Sequence, residues 1–416
     1  MSEKSSSSTS DQISDSPQSR RRFIAGAGAA AGLSIVSPQV AFGAEANEKI
    51  RIGFVGCGGR GGFVGSIVAE DGGFEITAAA DYFQDRVDGF GEKFGVDAKA
   101  RFTGLGAIDK MLASGLVDAV AVHSPPYFHP EHVAKSVDAG KHVLVAKPIA
   151  VDVPGVRSVE ASTAKAAEAG LSVMVDVQSR GDEFFQGALG RVRDGGALGE
   201  FTYGRCMADY GAITPQAEDD GSPEARLRNW VFDIAYSGDI ITEQNIHAVD
   251  IFAWALGAPK RAYGVRGRKA RLAPGDTSDH YVVNFEYENG GAVSFTSRQY
   301  NAFGSPGAID NEIYGTKGVL FTQFAGTVMI RGGKDSFYRG GKSPNLYKTG
   351  SVTNVAQFRD AIRAGKPDVT TVPGAVETTL VTVLGRQAGV ADGALDWDTV
   401  AADTTKLTPD LTGLKS

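Results

Sequence analysis

Residues 50–55 open the folded part of the chain with Ile50, Ile52, Phe54 and Val55, a short apolar strand that runs straight into a turn almost without side chains. From there strand and helix patterns alternate, the signature of a doubly wound parallel sheet. Residues 63–69 read as a helix and 74–80 as a strand. A second helix over 84–94 stops at Gly95, a suitable C-cap, and a short one follows at 108–113. The continuous apolar strand 117–122 breaks at the loop His123-Ser124-Pro125-Pro126-Tyr127-Phe128-His129. Pro130 suits the first position of a helix over 131–138, which Gly140 ends. Strand 142–146, helix 153–169 and strand 171–177 complete this unit. Beyond Val177 the rhythm changes. A helix at 183–193 precedes strands at 200–210, 261–268, 280–288, 292–299, 308–314 and 318–324, with Asn289-Gly290 as a hairpin signal between two of them and Gly315–Gly318 as a second tight turn. Segments 215–222 and 339–344 read as polar loops, and helices 353–364 and 374–391 close the chain. The pattern therefore predicts an α/β protein. A doubly wound parallel domain at 47–177 is followed by an α/β domain at 178–416 with one open, largely antiparallel sheet.

The turn after the first strand, GCGGRGG, carries chemistry. Gly56, Gly58 and Gly61 stand at the G-x-G-x-x-G spacing. In a dinucleotide site these supply a tight turn, a close approach of backbone to pyrophosphate, and helix-on-strand packing, with phosphate at the helix N-terminus. Gly59 and Arg60 lie inside the same turn. Asp81 ends the second strand 20 residues past Gly61, where a carboxylate would accept from the adenosine ribose hydroxyls. A carboxylate there would repel the extra phosphate of NADP, so NAD is the expected nucleotide. Arg86 is a further candidate near the adenosine.

Composition narrows the partners. With 42% hydrophobic and 22% charged residues in 416, the chain is long enough for two or three domains. Forty-two basic against 49 acidic residues give −7, with no concentrated basic surface for nucleic acid. No apolar run is long enough to nominate a membrane span. Residues 1–46 read as a leader: a Ser-rich polar stretch, then Ser19-Arg20-Arg21-Arg22-Phe23-Ile24 and a Gly- and Ala-rich run over 25–36. This resembles a twin-arginine export signal, with Ala44-Glu45-Ala46 as a cleavage site, and it implies transit through the twin-arginine translocase. Cys57 and Cys206 are expected to be free thiols, and no Cys/His pair stands at metal-ligand spacing.

Three further pieces could do chemistry. Lys147 stands at the carboxyl end of strand 142–146 and would point into a cleft. Alternatively it is an exposed lysine that caps a strand. Glu243 and His247 are four apart, and on one helix the carboxylate would orient the imidazole and raise its pKa, which suits acid/base work. The plainer alternative is a histidine merely satisfied by its neighbour. Arg180, just past the last parallel strand, would donate to substrate hydroxyls or a carboxylate, or form an interdomain ion pair. The loop after strand 117–122 lies where such sheets bind ligands, so Ser124 and Pro125 are assigned to cofactor and Tyr127 and His129 to substrate.

On the GCGGRG, SPPYFH, GKHVLVAKP, QSR, EQNIHAVD, FRDAIRAGKP and ETTLVTVLGR segments, the chain resembles the Gfo/Idh/MocA family over nearly all of residues 49–397. The resemblance implies a Rossmann domain followed by an α/β domain whose open sheet often mediates homo-oligomerisation, and NAD or NADP chemistry on sugars, polyols or their derivatives. The family's Glu-Lys-Pro maps onto Ala146-Lys147-Pro148, which keeps the lysine but not the glutamate. Its Asp-x-x-x-His maps onto Glu243 and His247, with the acid one methylene longer. Hydride would leave a carbinol carbon, with His247 or Lys147 taking the hydroxyl proton and the other stabilising oxygen charge. A redox-neutral glycosidase or lyase working through transient oxidation is one competing expectation. A non-catalytic NAD-containing binding protein is another. Export together with a dinucleotide turn leads to a last expectation, that NAD is tightly bound and recycled in place.

Overall fold

In the computed structural model, residues 49–272, 274–305 and 307–416 are described. The twin-arginine motif at 19–24 and the cleavage site at 44–46 lie outside them. Six parallel strands form the first sheet: β1 (Ile50–Val55), β2 (Phe74–Asp81), β3 (Arg101–Thr103), β4 (Ala119–Val122), β5 (His142–Ala146) and β6 (Val173–Asp176), in the order β3-β2-β1-β4-β5-β6. This is a doubly wound order that reverses between β1 and β4, and the divergence of their connections opens a crevice at the carboxyl ends. Because helices cover both faces, β4 and β6 are buried at every position, which is why they read as unbroken apolar runs. The three-residue β3 had no apolar run to announce it.

The second sheet has nine strands: β7 (Phe201–Tyr210), β8 (Arg261–Gly267), β9 (His280–Glu286), β10 (Ala292–Gln299), β11 (Ala308–Gly315), β12 (Gly318–Gln323), β13 (Thr327–Gly332), β14 (Tyr338–Lys342) and β15 (Leu395–Asp396). Their order is β14-β13-β12-β11-β7-β10-β9-β8-β15, antiparallel throughout except for the parallel pair β7 and β10. The chain is thus α/β, a Rossmann sheet joined to a mostly antiparallel mixed sheet. Burial alternates along β10, with Val293, Phe295 and Ser297 inward and Ser294 and Thr296 outward. Helices Ile246–Leu256 and Val372–Ala388 pack on the inner face. The outer face leaves Tyr203, Tyr263, Val265 and Val282 exposed.

Two expectations fail here. Segment 339–344 is not a loop, since 338–342 pairs with β13 as the edge strand β14; its Arg339, Gly340 and Gly341 gave no apolar signal. Helix 353–364 starts earlier, as Leu346–Arg363, because Asn345 caps it by accepting from the Lys348 N–H. Those additional residues, about two turns, carry Tyr347 and Ser351 toward the glycine turn. Helices Leu346–Arg363 and Val372–Ala388 return to pack on β6, so the end of the chain braces the first sheet.

Candidate active site

The helix after β1 begins at Gly59, inside the turn, and runs to Asp71. Its N-cap Gly58 has no side chain to offer, so the first N–H groups face open space rather than a cap. Gly56 has φ +91°, and a Cβ there would lie 2.3 Å from the His123 carbonyl carbon; at Gly61 it would lie 2.0 Å from the Gly56 oxygen. Both positions therefore demand glycine. At Gly59 a Cβ would meet nothing within 4 Å, which leaves the approach over the turn clear. Asp81 accepts from the Cys57 N–H at 2.7 Å and the Phe83 N–H at 3.0 Å. Burial pushes its carboxyl above the usual range. Bare helix N-terminus, glycine cradle and acidic strand end together fit a dinucleotide.

The cleft containing this turn is also lined by Arg86, Ser124, Pro125, His132, Leu227 and Trp230. Arg86 donates to Gln216 at 2.5 Å and lies over the Phe83 ring. Arg60 looks elsewhere. Its guanidinium pairs with Asp176, donates to Ser351 at 2.8 Å and lies 4.8 Å from the Tyr347 ring centroid. Burial alone would raise the Asp176 carboxyl, but Arg60 and Asn354 hold it below its ordinary value. Arg60 thus ties the glycine turn to the helix 346–363 while it also lines the cleft.

A second cavity adjoins the first and shares Arg60, His123, Ser124 and Trp230 with it. Lys147, Glu243 and His247 meet there, joined by Gln178, Tyr210, Gln244, Phe324 and Tyr347. Lys147 donates to the Glu243 backbone carbonyl, and its Nζ lies 3.3 Å from the Glu243 carboxylate. The expected pairing of Glu243 with His247 is therefore corrected. One helix ends at Glu243 and the next begins at Ile246, so the two side chains do not share a continuous helical face. His247 packs instead against the Phe324 ring, 4.8 Å between centroids. Burial, reinforced by the Lys147 and Arg60 cations, holds its pKa well below the usual value rather than above it.

Three substrate assignments also change. Arg180 forms a mostly buried ion pair with Asp250 at 2.8 Å and lies over the Trp254 ring, so the ion-pair reading of this arginine is the one realised, though both partners lie within 178–416 and the pair does not cross between domains. Tyr127 packs edge-on against Phe128 and Tyr236, in an apolar cluster rather than in the second cavity. His129 lines that cavity, but its two ring nitrogens each lie 2.7 Å from a backbone carbonyl, of Pro148 and Ser124. Those two acceptors favour the charged ring; burial wins and lowers its pKa to about 4. It clasps the loop and has no nitrogen left for substrate.

Sequence patterns gave no signal for Trp230, Tyr210, Phe324 or Tyr347, which reach the cavities only by tertiary packing. Gln178 and Gln244 lie in the QSR and EQNIHAVD segments, beside the charged residues to which those segments assign chemistry. Both cysteines are free and buried. Among the described residues no helix is long and apolar enough to cross a membrane.

The curated relatives include scyllo-inositol 2-dehydrogenase (NAD(+)) of Bacillus subtilis (strain 168), 23% identical over 278 residues, 66% of this chain and 74% of that one. Inositol 2-dehydrogenase of Rhizobium meliloti (strain 1021) is 24% identical over 276 residues, 65% of this chain and 74% of that one. Among solved structures, levoglucosan dehydrogenase in complex with NADH and levoglucosan superimposes with a TM-score of 0.66 at 17% identity, covering 84% of this chain and 99% of that one. The WlbA dehydrogenase from Bordetella pertussis, in complex with NADH and UDP-GlcNAcA, gives 0.68 at 19% identity over the same shares. Those two establish the common fold. The oxidoreductase family model with an NAD-binding Rossmann fold matches residues 50–177, and the GFO/IDH/MocA C-terminal domain model matches 187–321. Two models of one family so cover the first sheet and most of the second, and the chain belongs to the GFO/IDH/MocA family of NAD-binding oxidoreductases.

Proposed function

We propose that the protein oxidises a hydroxyl-bearing carbon of a sugar, polyol or related carbohydrate. The observation that carries this reading is the junction of the two cavities, which sets Lys147, Glu243 and His247 beside a glycine-turn cleft suited to a dinucleotide. The names of the relatives agree, since they act on inositols. NAD, when bound, supplies the hydride acceptor. Gly56 and Gly61 hold the turn tight, Gly59 leaves the approach for its pyrophosphate open, Asp81 faces its adenosine ribose, and Ser124 and Pro125 line its path.

The residues of the second cavity divide the remaining work. Glu243 holds the Lys147 ammonium in place, so Lys147 offers N–H donors and positive charge to the substrate oxygen as it loses its proton. His247, kept neutral by burial and the nearby cations, retains a lone pair to take that proton. A panel of sugars, polyols and glycosides tests the reading. Net reduction of the nucleotide or of an added acceptor is expected. Bond cleavage without net redox would replace the dehydrogenase with a redox-neutral enzyme, and silence on every substrate would favour a binding protein.

Export by the twin-arginine route is part of the same proposal. It is supported by the complete motif at residues 19–24, and by the need of an exported dinucleotide enzyme to carry its NAD with it. Cell fractionation of an Arg20→Lys, Arg21→Lys double variant tests it, with retention in the cytoplasm expected. Homo-oligomerisation through the outer sheet face is supported by the exposed Tyr203, Tyr263, Val265 and Val282. Light scattering that returns a monomer mass would remove that part.

A further inference from the structure

The adenosine end of the nucleotide cleft is walled by both halves of the molecule. Tyr82, Phe83, Arg86 and Leu105 come from the first sheet's carboxyl edge, whereas Gln216, Leu227 and Trp230 come from the segment between β7 and the helix Ile246–Leu256. Three sets of contacts fasten this second wall to the first. Arg228 makes a two-point contact with Asp85, at 2.9 and 2.8 Å, and stacks 3.9 Å from the Phe83 ring centroid. Arg86 donates to Gln216. Glu224 accepts from the Tyr82 hydroxyl at 2.9 Å.

The end of the chain then crosses the outside of this seam. The Leu105 N–H donates to the Lys415 carbonyl at 2.9 Å, and the Lys415 N–H donates to the Tyr82 hydroxyl at 3.1 Å. Lys415 Nζ pairs with Glu224 at 3.1 Å. Leu411 and Leu414 pack on the apolar cluster of Phe83, Phe128, Leu227 and Tyr236, which contains residues from both walls. Farther back, the Leu407 N–H donates to the Asp152 carboxylate at 2.7 Å. The exposed ion pair contributes little by itself. The backbone bond and the two leucines make the crossing specific.

We propose that segment 216–230 is the roof of the adenosine half of the cleft and residues 407–416 are its latch, so that a bound dinucleotide leaves only when the latch and roof lift together. This rests on the NAD reading of the cleft, and it supplies a physical means for the slow release that an exported enzyme would require. A gate makes a specific kinetic demand. Opening it must speed entry as well as exit, whereas loss of an ordinary binding contact speeds exit alone.

The test uses the full chain and NADH as the probe. Association and displacement by excess ADP-ribose are followed by nucleotide fluorescence, and thermal melting confirms that each variant is folded. Deleting residues 410–416 is expected to raise the dissociation rate about tenfold or more, and to raise the association rate with it, so that Kd moves less than either rate. Glu224→Ala and Leu414→Ser, which leave the chain full length, should each give a smaller change in the same two rates and decide the matter if the deletion does not fold. Folded variants with parental rates would overturn the latch while leaving the NAD site intact. Faster exit without faster entry would make these residues contacts rather than a gate, and also overturns it. A parent chain that neither releases NAD(H) on denaturation nor binds added NADH would overturn the NAD reading, and the latch with it.

Discussion

The nucleotide cleft and the cavity beside it are built by opposite means. The cleft rests on backbone: a turn with no room for a Cβ at Gly56 or Gly61, a helix that starts uncapped, and one acid at a strand end. Nearly all of that comes from one continuous stretch, residues 50–86. The neighbouring cavity is made of side chains from segments scattered between Arg60 and Tyr347, and its central pair, Lys147 and Glu243, is 96 residues apart. Backbone geometry is copied wherever the local sequence folds, but a side-chain cavity exists only once distant elements are packed. Damage to the first should thus appear as lost nucleotide, and damage to the second as lost turnover with nucleotide still bound.

The largest effects that test this contrast are those of Lys147→Ala and His247→Ala. Each is expected to lower kcat by about 10² to 10⁴, the usual worth of a positioned proton-handling group, while nucleotide affinity stays near the parent's. Parallel losses of both quantities would mean that the two sites are not separable. Arg180→Ala should act on neither site and instead expose the buried Asp250 charge, at about 3–5 kcal/mol of unfolding free energy. A denaturant titration reads this, and an unchanged midpoint would return Arg180 to the list of substrate contacts.

Glu243→Ala comes next. Removing the carboxylate that holds Lys147 should reduce kcat about ten- to a hundredfold, the worth of a hydrogen bond to a charged group. Because the acid serves Lys147, the double variant Lys147→Ala, Glu243→Ala should be no worse than Lys147→Ala alone. Additive losses would send Glu243 back to His247. Asp81→Ala should weaken NAD by a similar or smaller factor, about tenfold, and narrow the gap to NADP without lowering kcat at saturation.

The smallest effects are those of pH. In the proposed role of neutral base, His247 brings a depressed pKa, so the acid limb of kcat/KM should lie below 6.5, the ordinary histidine value. A limb at or above 6.5 would show that the ring is less buried in solution. Stability should follow the same sign. Burial lowers His123 and His132 to about 3, so below pH 6.5 the unfolded chain takes up protons that the folded one refuses. Their contribution is complete above pH 6.5 and is lost as the pH falls toward 3, at about 1.4 kcal/mol per pH unit for each ring. His123→Phe should flatten that dependence, as thermal melts between pH 7 and 4 would reveal.

Local sequence was enough to specify the parallel sheet, the glycine turn, the acid that ends β2, and the lysine at the end of β5. Each depends on contacts within a few dozen residues or on an apolar run that burial on both faces requires. Spacing also nominated Glu243 and His247, but not their relation. A separation of four implies one face only if the helix continues, and the break between Glu243 and Ile246 turned the acid toward Lys147 instead. Arg180, Tyr127 and His129 stood at strand ends, where ligands bind, and packing gave each of them a protein partner first. The same physics hid β14, whose glycines offer no apolar pattern, and the aromatic walls supplied by Trp230, Phe324 and Tyr347. A local pattern records which groups must be buried; which of two polar groups finds the other is settled when long-range packing fixes their distance.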